Sequence, residues 1–278
     1  MSGRHMQRPQ HREFSVKRSP ERRRPGRLAA SALFMKRMMH HLGNNGIGFA
    51  MEAVLSPIVM LLIFTFLFGG AIAGSVGEYV QFLLPGILVL TVVPMAVYSG
   101  TTLCADIAKG LYQRFRTMPF WQPAAVFGLV AADGVRYVAA LVVVLASGLA
   151  LGFRPAGGVA GAALAAVYVI FFAYCVSWVF AWIGNKVKRP ETVSGSSMMI
   201  LYPLLFASSV LVDTSTMPRW LQTAVDANPI SVAATLTRGL LHGTATSVEL
   251  AAGIGVGLLL IAVFIPLTVH AYLRRQTE

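Results

Sequence analysis

Residues 79–119 read YVQFLLPGILVLTVVPMAVYSGTTLCADIAKGLYQRFRTMP. From Val80 to Ala105 no side chain is charged; Lys109, Arg114 and Arg116 then follow close together. About 20 apolar residues in a helix cross a hydrocarbon core of about 30 Å. The apolar part therefore predicts a membrane span near 79–103. Lys and Arg are retained on the cytoplasmic face during insertion, so the basic part predicts an inward loop. The pattern recurs along the chain, with further spans expected near 50–72, 124–151, 160–184, 196–212 and 247–271. Of the 23 Lys and Arg residues, 19 fall on one side of that threading. Eleven lie between Arg4 and Arg37, and Lys186, Lys188, Arg189, Arg274 and Arg275 join the three already named. The opposite side holds Arg154, Arg219 and Arg238. The expected fold class is all-α: a polytopic membrane protein with six transmembrane helices and both termini cytoplasmic.

Composition supports this class. With 56% hydrophobic and 12% charged residues, the chain lies outside the soluble range of about half apolar and a quarter charged. The net charge of +12 concentrates in the N-terminal arm and the inward loops. That distribution suits anionic lipid headgroups, so membrane lipids are expected partners and nucleic acid is not. Cys104 and Cys175 fall in or beside apolar runs and read as small buried hydrophobes. No cleavable signal peptide is expected, because residues 1–27 are basic and proline-rich without an apolar centre.

Two domains follow: a disordered basic arm over 1–27 and a transmembrane domain over 28–278. From Leu28 to His41, apolar residues share one face, predicting an amphipathic helix lying in the inner interface. Pro57, Pro85, Pro94, Pro203 and Pro266 fall inside expected spans and predict kinks, which membrane helices tolerate. Between 213 and 246, Pro218 can open one short helix. Asn228-Pro229 opens a second that Gly243 stops, together forming a re-entrant or surface hairpin. No internal repeat is visible, which weakens a secondary-transporter reading.

Candidate functional residues are few. In the segment 106–119, Leu111 and Phe115 are spaced to pack while Arg114 and Arg116 point outward, and Pro119 ends the helix. Asp133 and Arg136 are opposite charges well inside a span, three residues apart on one helix face. A lone charge there costs about 2.5–3.5 kcal/mol, so a self-paired structural couple is the first reading and a substrate or proton path the second. Glu52 reads as an interfacial residue. The aromatics Tyr168, Phe171, Phe172, Tyr174, Trp178, Phe180 and Trp182 read as packing or lipid-facing bulk, or else as a wall for an amphipathic ligand. No histidine cluster has metal-site spacing and no nucleophile triad can be assembled. The chain has no G-x-x-x-x-G-K-[ST] phosphate loop, so catalytic, cofactor and metal residues are all expected to be absent.

The order of features resembles a known family. A basic amphipathic N-terminus, six spans and the inner motif Gln113-Arg114-Phe115-Arg116-Thr117-Met118-Pro119 look like the permease subunit of type 2 ABC exporters, in the daunorubicin-resistance group. Asp133 and Arg136 followed by Gly152-Phe153-Arg154 are similar to that group's third helix and its exit. Asn228-Pro229-Ile230-Ser231 with Thr237-Arg238-Gly239-Leu240-Leu241 resembles its segment before the last span. The resemblance covers roughly residues 30–275. It implies a coupling helix at about 106–119 docking on a separate soluble ATPase, with Phe115 and Arg116 as anchors and Arg114 and Leu111 in support. It further implies two ATPase copies carrying ATP and Mg, a second permease copy or sister permease, and residence in a bacterial inner membrane. The implied cargo is an amphipathic drug, antibiotic or lipid-like molecule moved outward. The alternative is a gradient-driven secondary transporter or channel without an ATPase partner.

Overall fold

The computed structural model describes residues 35–36, 46–73, 76–110, 123–210 and 217–274. The basic arm, most of the expected interfacial helix and the segment 111–122 lie outside them. Every regular element among the described residues is helical.

The first long helix begins at Gly46–Ala50, opens into a π-helical turn over Met51–Leu55, and continues as α1, Ser56–Ala73. It is followed by α2, Val76–Met95, and α3, Val97–Ala108. Then come α4, Ala124–Ala150; α5, Gly158–Lys186; and α6, Pro190–Phe206. Two short helices, α7 Arg219–Asp226 and α8 Pro229–His242, precede α9, Ser247–Arg274. Among the described residues, four helical stretches, Gly77–Ala108, α4, α5 and α9, are long and apolar enough to cross a membrane.

Burial separates these helices by role. Helix α2 is apolar all round and buried all round: Val80, Leu83, Leu84, Ile87, Leu88 and Val92 have no exposed surface. A helix with no polar face belongs at the centre of a bundle, and α2 contacts α1, α4 and α8 there. Helix α5 is the second hub, against α3, α8, α9 and α4. Its aromatics mostly face inward, with Tyr168, Phe172, Trp178 and Phe180 buried. Helix α9 has the highest mean hydropathy of the four, 2.6, yet Leu258, Leu259 and Val263 on it are exposed. It docks through Gly253 and Gly257, whose missing side chains leave room for Tyr168 and Phe171 of α5. Small residues at such spacing let membrane helices approach closely.

The kinks expected at proline differ in outcome. The run predicted near 79–103 is two helices, broken at Ala96 two residues after Pro94. Pro94 has no N–H to donate and its ring crowds the preceding turn. Its fifth counterpart, expected near 196–212, lies earlier as α6, because Pro190 at the first helical position starts the helix. Hydropathy alone had started it at the apolar residues. The two short helices α7 and α8 begin beside Pro218 and at Pro229, and α8 stops at Gly243, where their residues suggested. The Asn228 side chain accepts from the Ile230 N–H at 2.9 Å, and its Nδ2 donates to the carbonyls of Leu204 and Ala207, both at 2.7 Å. One side chain thus caps α8 and ties it to the end of α6. Gly243, at φ +71°, ends α8 in the left-handed conformation that glycine adopts without strain.

Candidate functional site

The inward segment is partly described. Asp106, Ile107 and Ala108 form the last turn of α3, and Gly110, at φ +68°, turns the chain away from the helix axis. Leu111, Arg114, Phe115 and Arg116 lie outside the described residues. The chain resumes at Pro123, which precedes the first residue of α4.

The second region is a polar cluster inside the bundle, and it is larger than the sequence indicated. Asp133 and Arg136 on α4 form the expected i,i+3 ion pair, 3.6 Å apart. Asp133 is only 7% exposed and accepts a 2.5 Å hydrogen bond from the Ser99 hydroxyl of α3. The Arg136 guanidinium lies over the Tyr98 ring, 4.7 Å from its centre, a favourable cation–π geometry. Tyr98 in turn lines one cavity together with Glu52 of the π-helical turn. One turn further along the same face of α4, Tyr137 shares a 2.7 Å hydrogen bond with Ser177 of α5. Tyr174 donates to the Ala131 carbonyl at 3.0 Å.

These contacts join α3, α4 and α5 through polar groups inside the bundle. Interhelical hydrogen bonds there contribute about 0.6 kcal/mol on average and up to about 1.7 kcal/mol. Sequence reasoning found Asp133 and Arg136 but passed over Tyr98 and Ser99. The available signal was the polar pair Tyr98-Ser99 following Pro94 in an otherwise apolar run. Its meaning depended on which helix it would face.

The pair predicts an asymmetry between two conservative variants. Arg136→Gln strips the buried Asp133 of its ion-pair partner and should cost about 3–5 kcal/mol, as breaking buried pairs does. Asp133→Asn leaves Arg136 its place over the Tyr98 ring and should cost less. Adding Asp133→Asn to Arg136→Gln should restore part of the lost folded yield, read by size-exclusion chromatography of a fluorescent fusion. Equal yields for both single variants would refute this asymmetry.

Comparison with known proteins bears on the whole chain. Residues 29–242 match the ABC-2 type transporter family, a stretch that runs through α8 and stops before α9. Over 227 residues the chain is 51% identical to a protein of Streptomyces coeruleorubidus described as a daunorubicin resistance ABC transporter permease protein, DrrB1. The alignment spans 82% of this chain and 80% of that relative.

Proposed function

The chain belongs to the ABC-2 type transporter family, and from that membership we propose that it is the membrane-spanning permease subunit of an ATP-driven drug exporter. The observation that carries this reading is the 51% identity to a daunorubicin resistance permease along four fifths of both chains. The cargo is an amphipathic drug or a related lipid-like molecule, moved outward across a bacterial cytoplasmic membrane. The apolar bundle, with its few polar groups gathered in one cluster, supports such a cargo over a sugar or an inorganic ion.

In this reading the six membrane crossings are α1, α2 with α3, α4, α5, α6 and α9. The charge asymmetry supports a threading in which the segments before α1 and after α9 lie in the cytoplasm with Lys109, Lys186, Lys188 and Arg189. Helices α7 and α8 then lie on the outer side as a hairpin, and the amphipathic segment 28–41 lies along the inner leaflet. The domain over 28–278 acts as one unit.

The chain supplies no phosphate loop, so ATP and Mg act on a separate soluble ATPase, present in two copies beneath a pair of permeases. The segment 106–119 is the coupling element. Its position between α3 and α4 supports this role, because α3 carries Ser99 and α4 carries Asp133. A push on that segment reaches both partners of a buried hydrogen bond, and packed helices transmit such rigid-body motion.

Co-reconstitution with the neighbouring ATPase subunit in inside-out vesicles tests the reading. ATP-dependent drug accumulation, with one ATPase per permease, is the expected result. Accumulation that needs no ATP and collapses with an uncoupler would overturn it in favour of a gradient-driven transporter.

A further inference from the structure

A cavity of about 270 Å³ opens between the π-helical turn before α1, the α2–α3 junction and α6. Its wall has two parts of unlike chemistry. Met60, Met198 and Tyr202 are among the groups on the apolar part, and Glu52, Thr91 and Tyr98 are on the polar part. Methionine and tyrosine adapt to varied apolar bodies, the first by flexibility and polarisability, the second by its flat ring.

Three observations point to an occupant. First, the Thr91 side chain is 8% exposed, and its hydroxyl has no hydrogen-bond partner among the described residues. Buried hydroxyls are nearly always paired, so an orphan lining a cavity suits a ligand. Second, the described lining of the cavity holds Glu52 and no Lys or Arg. Among the described residues Arg136 pairs with Asp133 and stands over the Tyr98 ring. An unbalanced charge at membrane depth is expensive and draws a counter-charge. Third, Glu52 sits in a π-helical turn, a local irregularity that helices retain mostly at functional sites.

We propose that this cavity binds the positively charged end of an amphipathic organic cation, with Glu52 as its counter-ion and Thr91 as a hydrogen-bonding partner. Tyr98 lines the same polar part as Glu52, and Met60, Met198 and Tyr202 cover the adjoining apolar part. Complete drug pockets measure roughly 300–1,000 Å³, so this cavity takes the charged end and the body continues through its open side. A proton could also balance Glu52, but the apolar and aromatic walls beside it select a bulky cation. The inference rests on the exporter reading and adds to it the charge of the cargo and the residue that recognises it.

The test uses the permease with its ATPase subunit in lipid nanodiscs and two fluorescent probes. Daunorubicin carries a primary amine on its sugar, and its N-acetyl derivative has the same rings without the charge. Glu52→Gln should weaken daunorubicin binding about tenfold or more, the usual scale for losing a hydrogen bond to a charged group. N-acetyl-daunorubicin should bind unchanged. Glu52→Gln leaves Asp133 and Arg136 as a balanced pair, so the bundle is expected to fold. Glu52→Asp, which keeps the charge on a shorter arm, should fall between wild type and Glu52→Gln. Thr91→Val removes the hydroxyl at constant shape and should weaken both probes severalfold. Equal losses on the two probes in Glu52→Gln, or none on either, would overturn the proposal. Binding is read without nucleotide, so ATP-independent transport would reject the exporter reading while leaving the cation site standing.

Discussion

Phe115→Ala combined with Arg116→Glu is expected to release the ATPase subunit and abolish ATP-driven transport while leaving the permease folded. Aromatic and arginine anchors at the centre of an interface typically carry about 2–4 kcal/mol each or more. Every 1.4 kcal/mol or so is a factor of ten in affinity, so the pair should weaken association by at least about a hundredfold. Reversing the sign at residue 116 adds repulsion from whatever acidic surface the arginine meets. Folding should survive because both positions fall between the end of α3 at Ala108 and the start of α4 at Ala124. Arg114→Ala and Leu111→Ala should each do less. Pull-down from mild detergent measures the result directly, with folded yield as the control. Undiminished recovery of the ATPase with the double variant would mean that the coupling anchor lies elsewhere.

Gly184→Ala is expected to unfold or badly destabilise the bundle, although alanine favours an isolated helix over glycine by about 1 kcal/mol. The cause is the crossing of α3 and α5. A Cβ on Gly184 would collide with the Gly100 carbonyl, and one on Gly100 would collide with the Phe180 carbonyl. Both obstacles are backbone, which cannot rotate aside as a side chain can. Overpacking a well-filled core costs about 1–3 kcal/mol, and here the helices themselves must separate. The loss should reach or exceed the top of that range. Gly195→Ala and Gly255→Ala are the controls, since a Cβ at either position meets nothing within 4 Å. They should unfold at or slightly above the wild-type temperature. A Gly184→Ala protein as heat-resistant as these controls would show that the crossing has slack. The same variant should also impair drug binding, because the crossing holds α3 and with it Tyr98 and Ser99.

Much of the chain was legible before any coordinates. The helix ends at Arg219, Pro229 and Gly243 follow from proline just before or at the first helical position and glycine past the last, which act within a few residues of themselves. The ion pair of Asp133 with Arg136 follows from their spacing of three on one helix. The sixth expected span coincides with α9 for the same reason: a long apolar run is a local property. The fifth run drifted because its helix starts at Pro190, before its apolar residues begin. The second was read as one helix because the cost of Pro94 is felt in the tertiary path of the chain.

Sequence by itself determined the membrane class, the charge asymmetry behind the threading and the family resemblance, since each is written in composition, local order or motif. Only the tertiary structure decided that Glu52 and Tyr98 line one cavity, that Arg136 lies over Tyr98, that Ser99 bonds Asp133, and that Gly100 and Gly184 touch. Those contacts depend on how far each helix is rotated about its axis and where it crosses its neighbours. Apolar residues surround α2 on every side, so periodicity gives no preferred face from which that rotation could be read. Close packing of the whole bundle selects it instead.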